Sequence, residues 1–160
     1  VYEDVPVDTW NADWGQVVTV EDRVIAGDNV KYYKDLNWAG IEFLNPTVDA
    51  SAMTHIHLDV YAPGGTNFKV KLASFPSDPD IETVVTKELA FDADSAPSFV
   101  AGTWVSLDIP FSAFEIDQNP PGGTPNDYTW DDWDWANIGQ LVIVSTDATT
   151  VLVDNVYWHD

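Results

Sequence analysis

Apolar residues in much of the chain occupy every second position, which is the spacing of a β-strand with one buried face. In the segment AMTHIHLDVYAP, Ile56, Leu58 and Val60 fall on one face, and polar or aromatic residues fall on the other. The segment NFKVKLASF shows the same alternation, with apolar residues at 68, 70 and 72 and lysines between them. The Pro-Gly-Gly sequence at 63–65 predicts a hairpin that connects these two strands.

Seven further runs rich in β-branched and aromatic residues have the length of short strands. They span residues 16–20, 30–33, 38–44, 83–91, 103–109, 140–145 and 151–158, and polar turn sequences such as AGDN and FPSDPD separate them. Many short strands at this spacing predict an all-β fold, an antiparallel β-sandwich with two sheets packed face to face. Residues 115–135 form the longest stretch without strand character, and loops of that length in compact domains are usually functional or disordered.

The 160 residues are the size of one domain, so we expect residues 1–160 to fold as a single monomeric unit. With 27 acidic residues against 6 basic ones, the formal net charge is −21. Such a charge repels polyanions, so we expect no nucleic acid and no anionic membrane as a partner. Bound cations such as Ca²⁺ would reduce the repulsion within the chain.

The chain contains no cysteine, which excludes disulfides, thiolate metal sites and cysteine nucleophiles. It has no run of about 18 apolar residues, and its first residues, VYEDVPVD, lack the basic and apolar regions of a signal peptide. We therefore expect a soluble piece of a longer protein that is secreted or displayed at the cell surface.

Tryptophan is abundant, with eight residues, and is concentrated in the segment TWDDWDWANIGQ at 129–140. A tryptophan side chain offers a flat apolar face and a hydrogen-bond donor at its edge. A pyranose ring presents the matching surface, because its C–H groups cluster on one face while its hydroxyls surround the edge. Tryptophan beside carboxylate and amide groups therefore favours the binding of a neutral glycan.

The position of each tryptophan indicates which ones a glycan could reach. Trp38 is expected on the outward face of its strand, because Ile41 and Phe43 occupy the inward face. The other candidates lie in loops or just before a strand, and core packing is an equal alternative for Trp135 and for the two nearest the N-terminus. The six candidate stacking residues are Trp10, Trp14, Trp38, Trp130, Trp133 and Trp135. Trp104 is interpreted instead as core or as cover of a sheet.

Evidence for catalysis is weaker than evidence for binding. A glycoside hydrolase needs two carboxyl groups about 5–9.5 Å apart, but a chain with 27 acidic residues always offers such pairs. His55 and His57 share one strand face, as a two-histidine metal site requires, yet no third imidazole or cysteine is near them in sequence. We interpret both as ordinary outward-facing histidines.

Carboxylates near the two chain ends are candidate ligands for a structural Ca²⁺. In a sandwich whose termini meet, Glu3 and Asp4 in the first strand and Asp154 in the last strand could share one ion. Such an ion would hold both chain ends and offset part of the negative charge.

Several segments, in their order along the chain, resemble β-sandwich carbohydrate-binding modules. They are DWGQVV, NVKYYKDLNWAGIEF, VDASAMTHIHLDVYAP, FKVKLASF, GTWVSLDIPFSAF, NIGQLVIV and VLVDNVYWHD. The resemblance is to modules of the family 4, 6 and 22 type, which are appended to secreted polysaccharide-degrading enzymes, notably family 16 glycoside hydrolases of marine bacteria. It covers nearly the whole chain and implies a jelly-roll domain without catalytic activity. It also implies a structural Ca²⁺, with Asp154 in the C-terminal DN-aromatic element as a ligand and Asp4, beside Glu3, in the N-terminal acidic element.

We therefore expect a non-catalytic module that binds a polysaccharide by ring stacking and targets a covalently linked catalytic domain to it. A β-1,3-glucan of the laminarin kind is the first candidate ligand, and agar-type or other algal glycans come next. One alternative is a small jelly-roll glycoside hydrolase or lyase, with a carboxylate pair at catalytic spacing. Another is an acidic Ca²⁺-dependent adhesion or scaffold domain, which would self-associate with Ca²⁺ and ignore sugars.

Overall fold

Two antiparallel β-sheets form the fold. The structure is a computed structural model that describes residues 7–11, 18–75, 84–117 and 133–160. The strands are β1 (Thr19–Ile25), β2 (Asp28–Lys34), β3 (Trp38–Glu42), β4 (His55–Tyr61), β5 (Phe68–Ser74), β6 (Val85–Phe91), β7 (Trp104–Pro110), β8 (Glu115–Ile116), β9 (Ile138–Val144) and β10 (Thr150–His159). A 3-10 turn lies at Phe111–Ala113. None of the described ranges holds a helix long and apolar enough to cross a membrane.

The strands are divided equally between the two sheets. The first sheet has the strand order β1-β2-β10-β4-β7, and the second sheet has the order β3-β9-β5-β6-β8. All neighbouring strands are antiparallel. This arrangement confirms the expected all-β antiparallel sandwich of the jelly-roll type. The two-residue strand β8 was not predicted, because a strand that short leaves no periodic signal in the sequence.

Side chains that alternate along each central strand fill the space between the sheets. In β4, Ile56, Leu58 and Val60 are completely buried, while the residues between them are partly exposed. In β5, the apolar residues at 68, 70 and 72 are also completely buried. The removal of this apolar surface from water is the main driving force for the fold.

The expected hairpin at 63–65 is wrong, since β4 and β5 lie in different sheets. β4 pairs with β10 and β7, whereas β5 pairs with β6 and β9. Alternation shows which face of a strand is buried, but it does not show which strand is the neighbour. Gly65 lies in this crossing connection with a φ of 102°, and a Cβ there would come within 2.5 Å of the Ala148 Cβ. Glycine therefore fits where a side chain would collide.

A hairpin does form between β1 and β2, at the AGDN sequence that predicted a turn. Ala26 and Gly27 connect the strands with φ values of 54° and 94°, and two positive values are typical of the type I′ turn. The expected strand at 16–20 lies partly outside the described residues; β1 begins at Thr19 and extends through charged residues as far as Ile25. β1 is an edge strand, and charged side chains are common there because they face water.

Candidate functional site

The outward side chains of the second sheet form a polar surface around one tryptophan. In β3, Ala39 and Ile41 are fully buried and point to the core, so Trp38 and Glu42 point outward as predicted. Strands β9, β5 and β6 continue this surface across the sheet. We call it the Trp38 face and define it by Trp38, Glu42, Lys69, Lys71, Glu88, Asp117 and Gln140.

Ion pairs hold the lysines of the Trp38 face in place. Lys69 Nζ lies 2.6 Å from one carboxylate oxygen of Glu88, and Lys71 Nζ lies 2.7 Å from the other. Lys71 Nζ also lies 2.7 Å from Asp117, directly after β8. Burial lowers the pKa of Lys71, but the hydrogen bonds to Asp117 and Glu88 outweigh it, so the pKa is raised above its usual 10.5. The Lys71 ammonium group is therefore charged at neutral pH.

A second contact fixes the end of β3 opposite to Trp38, four residues further along the strand. Gln140 Nε2 donates a hydrogen bond of 2.8 Å to a carboxylate oxygen of Glu42, its partner in the β3–β9 register. Gln140 is only 7% exposed and Val142 only 8%, although both point outward. The centre of this face is therefore largely removed from solvent. Trp38 itself is partly exposed.

The charge of the Trp38 face is negative. The carboxylates of Glu42, Glu88 and Asp117 outnumber the two lysines, and Glu115 adds a further carboxylate beside Glu88. A face of this kind repels anions. Its carboxylate and amide groups are suited to a neutral ligand that carries many hydroxyls.

Trp133 and Trp135 lie at the core rather than on a surface. Trp133 is 8% exposed, and Trp135 stacks on Phe111 with ring centroids 3.9 Å apart. The two indoles meet edge to face at 5.0 Å. Both rings lie on the inner side of the sandwich, because Trp135 stacks on the buried Phe111 and both rings lie near the Nζ atom of the buried Lys87. A stacking platform needs an exposed ring face, so Trp133 does not fit that role, and core anchoring fits Trp135.

A lysine lies near the indoles of the buried Trp133 and the partly buried Trp135. Lys87 of β6 is fully buried, and its Nζ lies 4.7 Å from the Trp133 ring centroid and 5.1 Å from that of Trp135. Burial lowers the pKa of Lys87 to about 8. The electron-rich ring faces attract the ammonium group, which offsets part of the cost of burying it.

The remaining candidate tryptophans lie near or beyond the limits of the described residues. Trp10 is partly buried and packs against the core. The Nζ atom of Lys31 lies 3.8 Å from the centroid of its ring and covers one ring face. Trp14 and Trp130 lie outside the described residues.

The candidate calcium ligands are only partly described. Glu3 and Asp4 lie outside the described residues. Asp154 is 7% exposed, and its Oδ1 accepts a 2.8 Å hydrogen bond from the backbone N–H of Asn155. In the described part of the chain, no group of three or more His, Asp or Glu side chains is placed to hold a metal ion. The calcium site stays a prediction.

Sequence reasoning missed two exposed aromatic residues on the outer face of the first sheet. Trp104 is 44% exposed, so it is not a core residue. The alternation of β7 already predicts an outward Trp104, because Val105 and Leu107 point inward and Trp104 lies on the opposite face. Tyr157 is also 44% exposed, but a bulge between Asp154 and Tyr157 shifts the alternation of β10 and hides its orientation.

Several solved structures that share this fold are carbohydrate-binding modules. A family 11 module from Clostridium thermocellum, in complex with a β-1,3-1,4-mixed-linked tetrasaccharide, is 18% identical over 91% of this chain and 85% of its own, with a TM-score of 0.59. A family 30 module of a cellulosomal cellulase from the same organism is 14% identical over 97% of this chain and 92% of its own, with a TM-score of 0.63.

A larger protein that contains a carbohydrate-binding module also shares this fold. The structure contains a family 22 carbohydrate-binding module and a family 10 glycoside hydrolase module of Clostridium thermocellum endo-1,4-β-D-xylanase 10B, complexed with xylohexaose. The match covers 89% of this chain and 24% of that chain, with 12% identity and a TM-score of 0.54. No family model and no curated protein matches the sequence. At these identities the likeness shows the fold, and this chain has the β-sandwich fold found in carbohydrate-binding modules.

Proposed function

We propose that residues 1–160 form a non-catalytic carbohydrate-binding module that binds a neutral polysaccharide at the Trp38 face. The observation that carries the proposal is a partly exposed indole on the same sheet face as a fixed set of carboxylate and amide groups. A β-1,3-glucan of the laminarin kind is the first ligand, and agar-type or other algal glycans are next.

The chemistry of the face supports this ligand class. A sugar ring would stack on the Trp38 indole, and hydroxyls of another sugar in the same chain would bond to the Glu42 carboxylate, about 13 Å away along β3, which Gln140 holds. Because Gln140 already holds the Glu42 side chain through a 2.8 Å hydrogen bond, that side chain loses little conformational entropy when a sugar binds. The excess of carboxylates disfavours sulfated or uronic glycans.

The structural neighbours support the same class of function. The family 11 module was solved with a mixed-linked β-glucan tetrasaccharide and the xylanase modules with xylohexaose. The neighbours include modules of cellulosomal enzymes. We infer that this module is monomeric, extracellular or at the cell surface, and covalently linked to a catalytic domain, with family 16 glycoside hydrolases as the first candidates. Tethering would raise the effective concentration of polysaccharide near that domain.

Affinity gel electrophoresis tests the proposal. The panel contains laminarin, mixed-linkage glucan, agarose, xylan and alginate, with Trp38→Ala beside the wild type. Leu44→Ala is the matched control, because Leu44 is 41% exposed and lies just beyond β3. We expect one neutral glycan to retard the wild type, and Trp38→Ala to weaken that binding about tenfold or more while the control does not.

Three other results would overturn the proposal. The first is a lack of retardation by every glycan, and the second is a Trp38→Ala variant that binds like the wild type. The third is release of reducing ends from a glycan by the purified domain, which would support the hydrolase alternative.

The proposed structural Ca²⁺ has its own test. Wild type and Asp154→Ala are unfolded thermally with added Ca²⁺ and with a chelator. We expect Ca²⁺ to raise the Tm of the wild type and to leave that of Asp154→Ala unchanged, because an ion that binds only the folded state stabilises it. A wild-type Tm that ignores both Ca²⁺ and chelator would exclude the site.

A further inference from the structure

Aromatic and polar side chains alternate in rows across the outer face of the first sheet. The register of β7 and β4 places Trp104 beside Tyr61, then Ser106 beside Asp59. Two residues further along β4, His57 lies beside Tyr157 of β10. We call this surface the Trp104 face and define it by Trp104, Tyr61, Ser106, Asp59, His57 and Tyr157.

The most exposed aromatic rings of the described residues lie on the Trp104 face. Trp104 and Tyr157 are each 44% exposed. Neighbouring rings hold each of them in place: Tyr61 lies 5.6 Å from Trp104 at an interplanar angle of 44°. His57 stacks on one face of the Tyr157 ring at 4.6 Å, and His159 lies 5.5 Å from that ring at an angle of 47°. The supporting rings limit side-chain movement, so these aromatic surfaces are ordered before any ligand arrives.

Hydrogen-bonded polar groups separate the two aromatic rows. Asn155 Nδ2 donates a 2.7 Å hydrogen bond to Asp59, and the other Asp59 oxygen lies 3.4 Å from His57 Nε2. Ser106 Oγ also lies 3.4 Å from His57 Nε2. Carboxylate and hydroxyl oxygens each accept more than one hydrogen bond, so this row can still bind hydroxyls of a ligand.

These features suit a glycan better than a protein. The cores of protein interfaces are depleted of charged residues, whereas here the charged Asp59 and the network around it lie between the aromatic rows. Strands β4 and β7 contain no lysine or arginine, which disfavours an anionic ligand. The distance from Tyr61 to His57 along β4 is about 13 Å, and the distance from β7 to β10 across the sheet is about 10 Å. The exposed rings of Trp104 and Tyr157 are therefore roughly 16 Å apart. That separation matches an oligosaccharide rather than a single sugar.

We propose that the Trp104 face is a second carbohydrate-binding surface, on the sheet opposite the Trp38 face. Sugar rings of one neutral chain stack on Trp104 and Tyr157, and hydroxyls of the sugars between them bond to Ser106 and Asp59. The proposal takes its ligand class from the proposed function, but it places a separate site on a separate sheet. A module with two such faces would bind two glycan chains at once, and tethered binding at both would raise the overall affinity.

Titration of ¹⁵N-labelled protein with laminarihexaose, cellohexaose and xylohexaose tests the proposal. The indole N–H signals of Trp38 and Trp104 report on the two faces separately. We expect one hexasaccharide to shift signals of both faces with separable affinities. Trp104→Ala should then abolish the shifts of β4 and β7 and leave those of β3 and β9 in place, while Trp104→Tyr, which keeps a ring, should retain part of them.

Tyr32→Ala is the matched control, because Tyr32 lies on the same outer face but Arg23 covers its ring at 3.4 Å from the centroid. It should leave all shifts unchanged. Shifts confined to the Trp38 face, or unchanged after Trp104→Ala, would overturn the second site and leave the proposed function intact. Shifts confined to the Trp104 face would support the second site and refute the assignment of binding to Trp38. Shifts on neither face with any of the three sugars would overturn both.

Discussion

Replacement of Trp133 by alanine distinguishes a core residue from a ligand platform. The ring is 8% exposed, meets Trp135 edge to face and lies beneath Lys87 Nζ, so its removal would leave a large cavity. Truncation of a buried tryptophan to alanine costs about 3–5 kcal/mol. At about 2–4 °C of Tm for each kcal/mol in a domain of this size, the expected loss is roughly 6–20 °C. Thermal unfolding followed by circular dichroism measures it.

Two variants sharpen this prediction. Trp133→Phe keeps an aromatic ring and removes an indole N–H that finds no acceptor among the described residues, so it should lose much less Tm than the alanine variant. Trp38→Ala changes a partly exposed side chain and should cost about 1 kcal/mol or less. If Trp133→Ala unfolded within about 2 °C of the wild type and lost glycan binding, the ring would be a platform and the core assignment would be refuted.

Three further predictions concern charge and backbone geometry. His159 Nε2 lies 2.8 Å from Asp108, and this contact raises the pKa of His159 above 6.5 and lowers that of Asp108 below 3.8. Asp108→Asn should therefore lower the His159 pKa in an NMR titration. The stability that the pair contributes should be greatest between pH 3.8 and pH 6.5 and should decline on either side of that range. Burial lowers the pKa of Lys87 from 10.5 to about 8, so the unfolded chain binds more protons between these values, and the Tm of the wild type should rise with pH there relative to Lys87→Met. Gly65→Ala should cost about 1–3 kcal/mol through overpacking against Ala148, measured by chemical unfolding, and an unchanged midpoint would contradict the close approach.

The period-two pattern predicted the strands and their buried faces well. In β4, every residue that the alternation placed inward is buried, because apolar surface on one face can only be hidden against a second sheet. The pattern did not predict sheet membership, and the wrong hairpin between β4 and β5 shows why. Both strands need the same core, but pairing depends on hydrogen bonds and loop paths that hydrophobicity does not encode.

The candidate site was predicted only in part. Trp38 lies on an outward sheet face as the alternation required. The contact between Gln140 and Glu42 could not be predicted, because the two residues are 98 positions apart in the sequence. Trp104 could have been found by the same alternation that placed Trp38, whereas the bulge in β10 concealed Tyr157.

The alternation of tryptophan and aspartate before β9 has a structural explanation. Asp134 lies between Trp133 and Trp135 in the sequence, and its carboxylate accepts hydrogen bonds from the Ala136 backbone N–H at 2.9 Å and from Asn137 Nδ2 at 2.7 Å. Its backbone N–H and C=O are both held by the Ser74 hydroxyl, at 3.1 Å and 2.8 Å. An aspartate that bonds the backbone two residues ahead forms a turn, so this segment combines inward rings with a turn that directs the chain into the strand. Abundant tryptophan beside carboxylates therefore does not by itself locate a binding surface. The orientation of each ring relative to its sheet does, and it singles out Trp38 and Trp104.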